Sequence, residues 1–151
     1  MIVVWGNNEY GQLGINANGL RNQPVKVITR NSKNLENVID ISLGANHALA
    51  LTFDNSLYAW GANDRRQLAS NTKDIVSVPE RITISGKIKT IAAGGQHSAI
   101  ITALEGSENN TVWTWGDNEF GQLGIKDINS DISRNALPTS CRQRCDYRQY
   151  R

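Results

Sequence analysis

A ten-residue motif recurs three times in this chain at an even interval of 55 residues. It reads WGNNEYGQLG from Trp5, WGANDRRQLA from Trp60 and WGDNEFGQLG from Trp115. Pro24 and Pro79 keep the same interval, each 19 residues after a tryptophan. A regular interval of this order is typical of solenoids and propellers, in which every repeat is one supersecondary unit packed against its neighbours. The chain is therefore predicted to consist of consecutive copies of a single unit.

A second motif, Gly-x-x-His, lies between the copies of the first. It occurs at Gly44 with His47 and at Gly94 with His97, which are 50 rather than 55 residues apart. Two insertions of polar, loop-forming composition, at residues 29–37 and 105–110, account for the shift. Surface loops tolerate such added length better than strands do.

The residues between these motifs predict an antiparallel meander and no helix. Residues 38–43 alternate as a half-buried strand does, residues 48–53 are almost wholly apolar, and an Asp-Asn-Ser turn leads into a third strand at 57–60. A fourth strand is expected after each proline, at 25–29 and 80–84, because proline is accepted at the start of an edge strand. A meander of four strands has two faces to bury, so the units are predicted to stack as propeller blades.

The motif residues are interpreted as structural anchors. Each tryptophan is predicted to fill the space between neighbouring blades, where a buried indole removes about 200 Å² from water. The glycine after each tryptophan and those within the loops are predicted to allow a positive φ or a close approach of backbone. The anchors are Trp5, Gly6, Gly11, Gly14, Gly44, Trp60, Gly61, Gly94, Trp115, Gly116, Gly121 and Gly124.

Over residues 1–138 these motifs resemble the regulator of chromosome condensation repeat family, whose members form seven-bladed β-propellers. The resemblance implies an all-β fold, a partial β-propeller of four-stranded antiparallel blades. Since a closed ring would need roughly 350–400 residues, we expect two to three blades and a ring that is not closed. Residues 139–151 depart from the repeat and are predicted to form a disordered, arginine-rich tail. Its two cysteines, Cys141 and Cys145, lack the further ligands of a zinc site.

The middle copy of the ten-residue motif departs from the outer two. Arg66 and Ala69 stand where those copies have glycine, so the middle loop is predicted to fold differently. Arg65 and Arg66 also place two cations at one loop. Two interpretations remain open: solvated arginines on a drifted repeat, or a contact site for an acidic partner.

Catalytic chemistry is not predicted. His47 and His97 occupy equivalent places in successive units, and adjacent residues on a strand, such as His97 and Ser98, point to opposite faces. No metal site and no cofactor is expected, and each histidine is interpreted as a structural hydrogen-bonding group. The resemblance implies an alternative: the histidine of this motif lies on the side of the propeller that engages the small GTPase Ran in the family's founding member, and His97 is the nearer match.

The charge pattern argues against direct binding of nucleic acid. The tail from Cys141 carries four arginines and one aspartate, a net charge of +3, so the formal charge of +2 for the whole chain leaves the repeat body at −1. The repeat body therefore has no basic stripe with which to displace counterions from phosphate. No apolar stretch approaches the roughly 20 residues of a membrane span, and no secretory signal follows Met1. We expect an intracellular protein, cytoplasmic or nuclear.

Two functions remain as hypotheses. The first is a non-catalytic module that binds protein partners. The alternative, implied by the resemblance, is guanine-nucleotide exchange on Ran, for which residues 105–110 are the nearest counterpart of an inserted wedge. Exposed apolar faces are expected near residues 38–51 and near Trp115, so self-association through uncapped blades is predicted. The chain is interpreted as a truncated gene product or, alternatively, as one member of a ring made of several chains.

Overall fold

The described fold is built from antiparallel β-strands. A computed structural model describes residues 1–70, 74–103, 110–125 and, for the backbone alone, 132–139. The strands of these segments are β1 (Val3–Gly6), β2 (Arg21–Lys26), β3 (Val38–Leu43), β4 (His47–Thr52), β5 (Leu57–Ala62), β6 (Ile75–Ile82), β7 (Lys87–Ala93), β8 (His97–Ala103), β9 (Asn110–Asp117) and β10 (Ile132–Thr139). Within the described segments, no helix is long and apolar enough to cross a membrane.

The strands form two four-stranded sheets and one half sheet. The sheet orders are β3-β4-β5-β6 and β7-β8-β9-β10, while β1 pairs with β2. All of these pairings are antiparallel. The prediction of an all-β partial propeller with an unclosed ring is confirmed. Each full sheet is one blade, and the β1-β2 pair supplies the third and fourth strands of another.

The predicted position of the fourth strand in each unit is wrong. It begins before the proline, since Pro24 lies inside β2, Pro79 inside β6 and Pro138 inside β10. Pro79 sits on the outer strand of its sheet, in an irregular stretch between the pairs Ala59↔Glu80 and Gly61↔Val76. Proline is tolerated there because an edge or a bulge does not need its missing N–H. The expected tail from residue 140 onward lies outside the described residues.

A single hydrogen-bonding pattern holds the loop that follows each tryptophan strand. An asparagine Oδ1 accepts from the N–H of a leucine five residues later, over 3.0–3.1 Å, in the pairs Asn8–Leu13, Asn63–Leu68 and Asn118–Leu123. A glutamine Oε1 accepts from the N–H two residues earlier, in the pairs Gln12–Tyr10, Gln67–Arg65 and Gln122–Phe120. The three asparagines are buried. The network depends on the asparagine and glutamine side chains, while the leucine contributes a backbone N–H and buries its side chain. All three copies retain these loop residues.

The middle loop therefore folds like the outer two, and the prediction of a different fold is wrong. Arg66 and Ala69 have φ values of 61° and 52°, in the left-handed region that glycine occupies in the other copies. The N–H of Arg66 donates to the carbonyl of Asn63 and that of Ala69 to the carbonyl of Arg66, each over 3.0 Å. The predicted positive φ of the glycines is confirmed at Gly6, Gly11, Gly14, Gly61, Gly116, Gly121 and Gly124.

Replacing Ala69 with glycine is expected to raise the free energy of unfolding by about 1 kcal/mol, because a Cβ in the left-handed region costs that much. The measurement is urea unfolding at pH 7. Ala17→Gly is the matched control, since Ala17 also lies in a loop but has no positive φ, and glycine there adds only unfolded-state entropy. Equal or lower stability of Ala69→Gly would contradict the strain that we assign to this residue.

Two of the three motif tryptophans fill the space between units as predicted. Trp60 and Trp115 are each 0% exposed. The Nε1 of Trp60 donates to the carbonyl of Gln12 at 2.9 Å, and that of Trp115 to the carbonyl of Gln67 at 2.8 Å. Each bond joins the loop of one unit to the tryptophan of the next. Trp5 is 63% exposed, so its predicted burial is wrong, because the covering loop would belong to a preceding unit.

The expected apolar faces are present only in part. On β3, Ile39 and Leu43 are 61% and 65% exposed, which agrees with the expectation for the first face. The neighbouring strand β4 is buried along its whole length. Near Trp115 the tryptophan itself is covered by the middle loop, and the sheet has four strands rather than being partial. Phe120 in the following loop is 85% exposed.

Candidate partner-binding site

The four candidate partner-binding residues lie at one end of the blades. His47, the first residue of β4, pairs with Gly61 near the end of β5, and His97 pairs with Gly116 in the same way. The loop that carries Arg65 follows β5 directly. The Gly-x-x-His turns and the loops after the tryptophans therefore share one rim of the fold.

The spacing of Gly-x-x-His has a steric cause. The histidine ring folds back over the glycine, so a Cβ built on Gly44 would lie 2.2 Å from Cε1 of His47. The same distance separates a Cβ on Gly94 from Cε1 of His97. Neither glycine has a positive φ. A Cβ on Gly44 would also lie 2.6 Å from the backbone carbonyl oxygen of Gly94, so no rotamer change relieves the clash there. At Gly94 the nearest atoms belong to the ring of His97, which would have to move. Both observations support the role of Gly44 and Gly94 as structural anchors.

His47 belongs to a buried network that joins the two full blades. Its Nε2 lies 2.9 Å from Oγ of Ser98, and this hydroxyl donates to the carbonyl of Gln67 over 2.9 Å. Since the single proton of the serine hydroxyl goes to Gln67, His47 is the donor in its bond to Ser98. The carbonyl of Gln67 also accepts from Trp115. One loop, one turn and two strands meet at this point.

The network holds His47 in its neutral form. Burial, and to a lesser extent the charge of His97, lower the pKa of His47 from 6.5 to about 4. Its Nδ1 is buried and has no hydrogen-bond partner among the described residues, so a proton there would be poorly solvated. Ser98 is 0% exposed and directs its proton at a carbonyl. The His47–Ser98 pair therefore lacks both the access and the hydrogen-bond direction that a nucleophile and its base require.

The two histidines differ in their access to the surface. His47 is 2% exposed, which favours its interpretation as a structural group. His97 is half-buried, so part of its ring is reachable from the rim. His97 remains the better candidate for contact with a partner.

Both arginines of the middle loop face carboxylates. Nη1 of Arg65 lies 3.7 Å from Oδ1 of Asp117 on the next blade, and Nη1 of Arg66 lies 3.4 Å from Oδ1 of Asp74. The arginine side chains are 37% and 24% exposed. An acidic partner would compete with these carboxylates, so the cations are less available than the sequence suggests.

Sequence reasoning missed a set of equivalent residues at the loop tips. The same motif position is Tyr10 in the first loop, Arg65 in the second and Phe120 in the third, and an exposed acidic residue precedes each. Tyr10 is 41% exposed and Phe120 is 85% exposed. We name these three tips the loop rim. The signal was present in the sequence, as a large side chain after an acid at one position of every copy.

The described residues form no metal site, and the expected wedge and the tail cysteines lie mostly or wholly outside them. In the parts of the chain that the structure describes, no group of three or more His, Cys, Asp or Glu side chains is placed to hold a metal ion. Residues 105–109 of the expected wedge and both tail cysteines lie outside those parts.

The repeats are similar to a known repeat family and to parts of characterised proteins. A profile of the Regulator of chromosome condensation (RCC1) repeat matches residues 4–51, 54–101 and 109–142. The chain is 33% identical over 122 residues to the human E3 ubiquitin-protein ligase HERC2, covering 80% of this chain and 2% of that protein. It is 30% identical over 128 residues to the Drosophila melanogaster Regulator of chromosome condensation, covering 82% of this chain and 22% of that protein.

A solved structure gives the same result for the fold. The crystal structure of human WBSCR16 is similar with a TM-score of 0.74 and 29% sequence identity, over 90% of this chain and 32% of that one. The chain thus spans less than a third of each of these three proteins.

Proposed function

Because the chain belongs to the regulator of chromosome condensation repeat family, we propose that its repeats act as a non-catalytic module that binds protein partners through the loop rim. The proposal rests on the placement of Tyr10, Arg65 and Phe120 on three equivalent, exposed loop tips. Tyrosine and arginine are enriched among the residues that dominate protein interfaces. The Asn and Gln side chains that hold each loop make the tips rigid, so binding would cost little conformational entropy.

The comparisons support a binding role rather than one particular chemistry. The names of two relatives that share these repeats, a ubiquitin ligase and a regulator of chromosome condensation, describe different activities. A segment common to both is better suited to recognition than to either reaction. We place the proposed interaction inside the cell, in the cytoplasm or nucleus, and assign no nucleic acid to the repeat body.

The second candidate is guanine-nucleotide exchange on Ran, favoured by the similarity to the Drosophila regulator. The half-buried His97 would then contact the GTPase from the rim. This role is less well supported, because the chain covers 22% of that relative.

Release of a fluorescent guanine nucleotide from Ran separates the two candidates. With the purified chain in excess, we expect the release rate to stay within about twofold of the spontaneous rate, since the chain corresponds to only 22% of the Drosophila regulator. An acceleration of tenfold or more would replace the binding module with the exchange factor. Binding of nucleotide-free Ran without acceleration would identify the GTPase as a partner of the module. In that case Tyr10→Ser combined with Phe120→Ser should weaken binding, whereas Phe53→Ser, at an 83% exposed residue in the turn at the opposite end of the blade, should not.

A further inference from the structure

Trp5 and the third loop are the two halves of a contact that the chain makes twice elsewhere. In those two contacts, the indole N–H of Trp60 or Trp115 binds the glutamine carbonyl of the preceding loop. Trp5 is the tryptophan of the first unit, and Gln122 is the loop glutamine of the third. Among the described residues neither has the counterpart that its equivalents have.

Burial at the two ends confirms that both halves are open. Trp5 is 63% exposed, against 0% for Trp60 and Trp115. A Cβ on Gly11 would lie 2.8 Å from the Cα of Ser77 on the next blade, whereas a Cβ on Gly121 would have nothing within 4 Å. The space beside the third loop is therefore the space that the next blade fills beside the first loop.

We propose that the third loop of one copy of this chain binds Trp5 of a second copy. By the 55-residue equivalence, Trp5 Nε1 would donate to the Gln122 carbonyl of the other copy. Gly121 would pack on Asn22, the equivalent of Ser77. The occupant is fixed by the chain itself, since the third loop has the hydrogen bonds of the two loops that already cover a tryptophan. Neither surface has to refold, because both are preformed.

The symmetry and strength of this contact follow from its geometry. It joins two different surfaces, head to tail, so it repeats from copy to copy and does not stop at a two-fold dimer. One loop against one indole face is smaller than a standard interface, so we expect a dissociation constant of about 10–1,000 μM. The contact uses Gly121 and the Gln122 carbonyl of the third loop and none of the three side chains that define the loop rim, so it does not rest on the proposed function.

The test uses one variant for each end. Trp5→Ala removes the indole side of the contact. Gly124→Lys blocks the third loop by the bulk of its side chain. A Cβ at the equivalent Gly14 would lie 2.8 Å from Nε1 of Trp60. The middle loop accommodates the Cβ of Ala69 while it covers Trp115, but the longer lysine side chain would fill the place of the indole. Gly19→Lys is the matched control for backbone strain, since Gly19 has a φ of +85° and open space around it. Phe53→Ala is the control for loss of an exposed aromatic side chain.

Sedimentation velocity at protein concentrations from about 10 to about 1,000 μM, the expected range of the dissociation constant, gives the readout. We expect concentration-dependent oligomers for the wild type and for both controls, and monomers for Trp5→Ala and for Gly124→Lys alone. An equimolar mixture of these two variants should form a dimer that grows no further. The intact third loop of Trp5→Ala can bind the intact Trp5 of Gly124→Lys, and no second contact of this kind remains. Far-UV circular dichroism and thermal melting establish that each variant is folded.

Three results would overturn the proposal. The first is a wild type that stays monomeric throughout this range. The second is association of Trp5→Ala as strong as that of the wild type, which would assign the contact to the exposed apolar row on β3. The third is a mixture of folded variants that stays monomeric under conditions in which the wild type associates.

Discussion

Gly61→Ala is expected to lower the free energy of unfolding by roughly 4 kcal/mol or more, a loss large enough to unfold many domains of this size. Gly61 has a φ of +107°, which L-residues rarely adopt. A Cβ there would also lie 2.3 Å from the carbonyl oxygen of Asn46 and 2.7 Å from the Cα of His47. Both obstacles are backbone atoms of the adjacent strand and turn, so no rotamer change relieves them.

Two further glycines separate the causes of this effect. Gly6 has nearly the same φ, +105°, but nothing within 4 Å of its would-be Cβ, so Gly6→Ala should show only the backbone strain, about 1–3 kcal/mol. Gly95 has neither a positive φ nor a close neighbour, and Gly95→Ala should stay within about 0.5 kcal/mol of the wild type. Urea unfolding monitored by tryptophan fluorescence supplies all three values. A loss for Gly61→Ala no greater than that for Gly6→Ala would show that the backbone around Gly61 can give way.

The repeat was predictable because one packing rule serves every unit. Trp60 and Trp115 stand in the same relation to the loop before them, so an even spacing in the sequence is enough to predict stacked blades. Trp5 has the same local sequence but a different environment. Its exposure depends on a neighbouring unit, which no local pattern contains.

The errors in the loops and outer strands have different physical causes. Glycine does not determine the shape of the middle loop, although its presence in the outer copies suggests so. The side chains of Asn63 and Gln67 impose that shape and force Ala69 to accept a positive φ. The fourth strands were misplaced because proline was expected to open them. Pro79 fits in the middle of β6 because this strand lies at the edge of its sheet and is irregular there.

The candidate site shows the same limit of local reasoning. His47 and His97 have equivalent positions in their units, but only His47 faces the hydroxyl of Ser98 on a following blade. Their different burial comes from what stands next to them in space. Arg65 and Asp117 are likewise brought together only by the packing of two blades.

The wild type is expected to lose about 2 kcal/mol of stability between pH 7 and pH 5 because of His47. The pKa of this histidine is lowered from 6.5 to about 4 in the fold, chiefly by burial. Below pH 6.5 the unfolded chain therefore binds a proton that the folded chain does not, and stability falls by up to about 1.4 kcal/mol per pH unit until the pH reaches the folded pKa. Carboxylates titrate mainly below this window, so the measurement is urea unfolding at several pH values from 7 to 5.

His47→Gln removes the titrating imidazole and keeps an N–H donor directed at Ser98. We expect this variant to be less stable than the wild type at pH 7. The part of the pH dependence that comes from His47 should disappear. His97→Gln should retain most of the wild-type slope, since the charge of His97 is the smaller cause of the shift and the burial of His47 is unchanged. An equal slope in the wild type and His47→Gln would mean that His47 is protonated within the folded chain. The His47–Ser98–Gln67 network would then have to open in mild acid, because a second proton on the ring has no acceptor among the described residues.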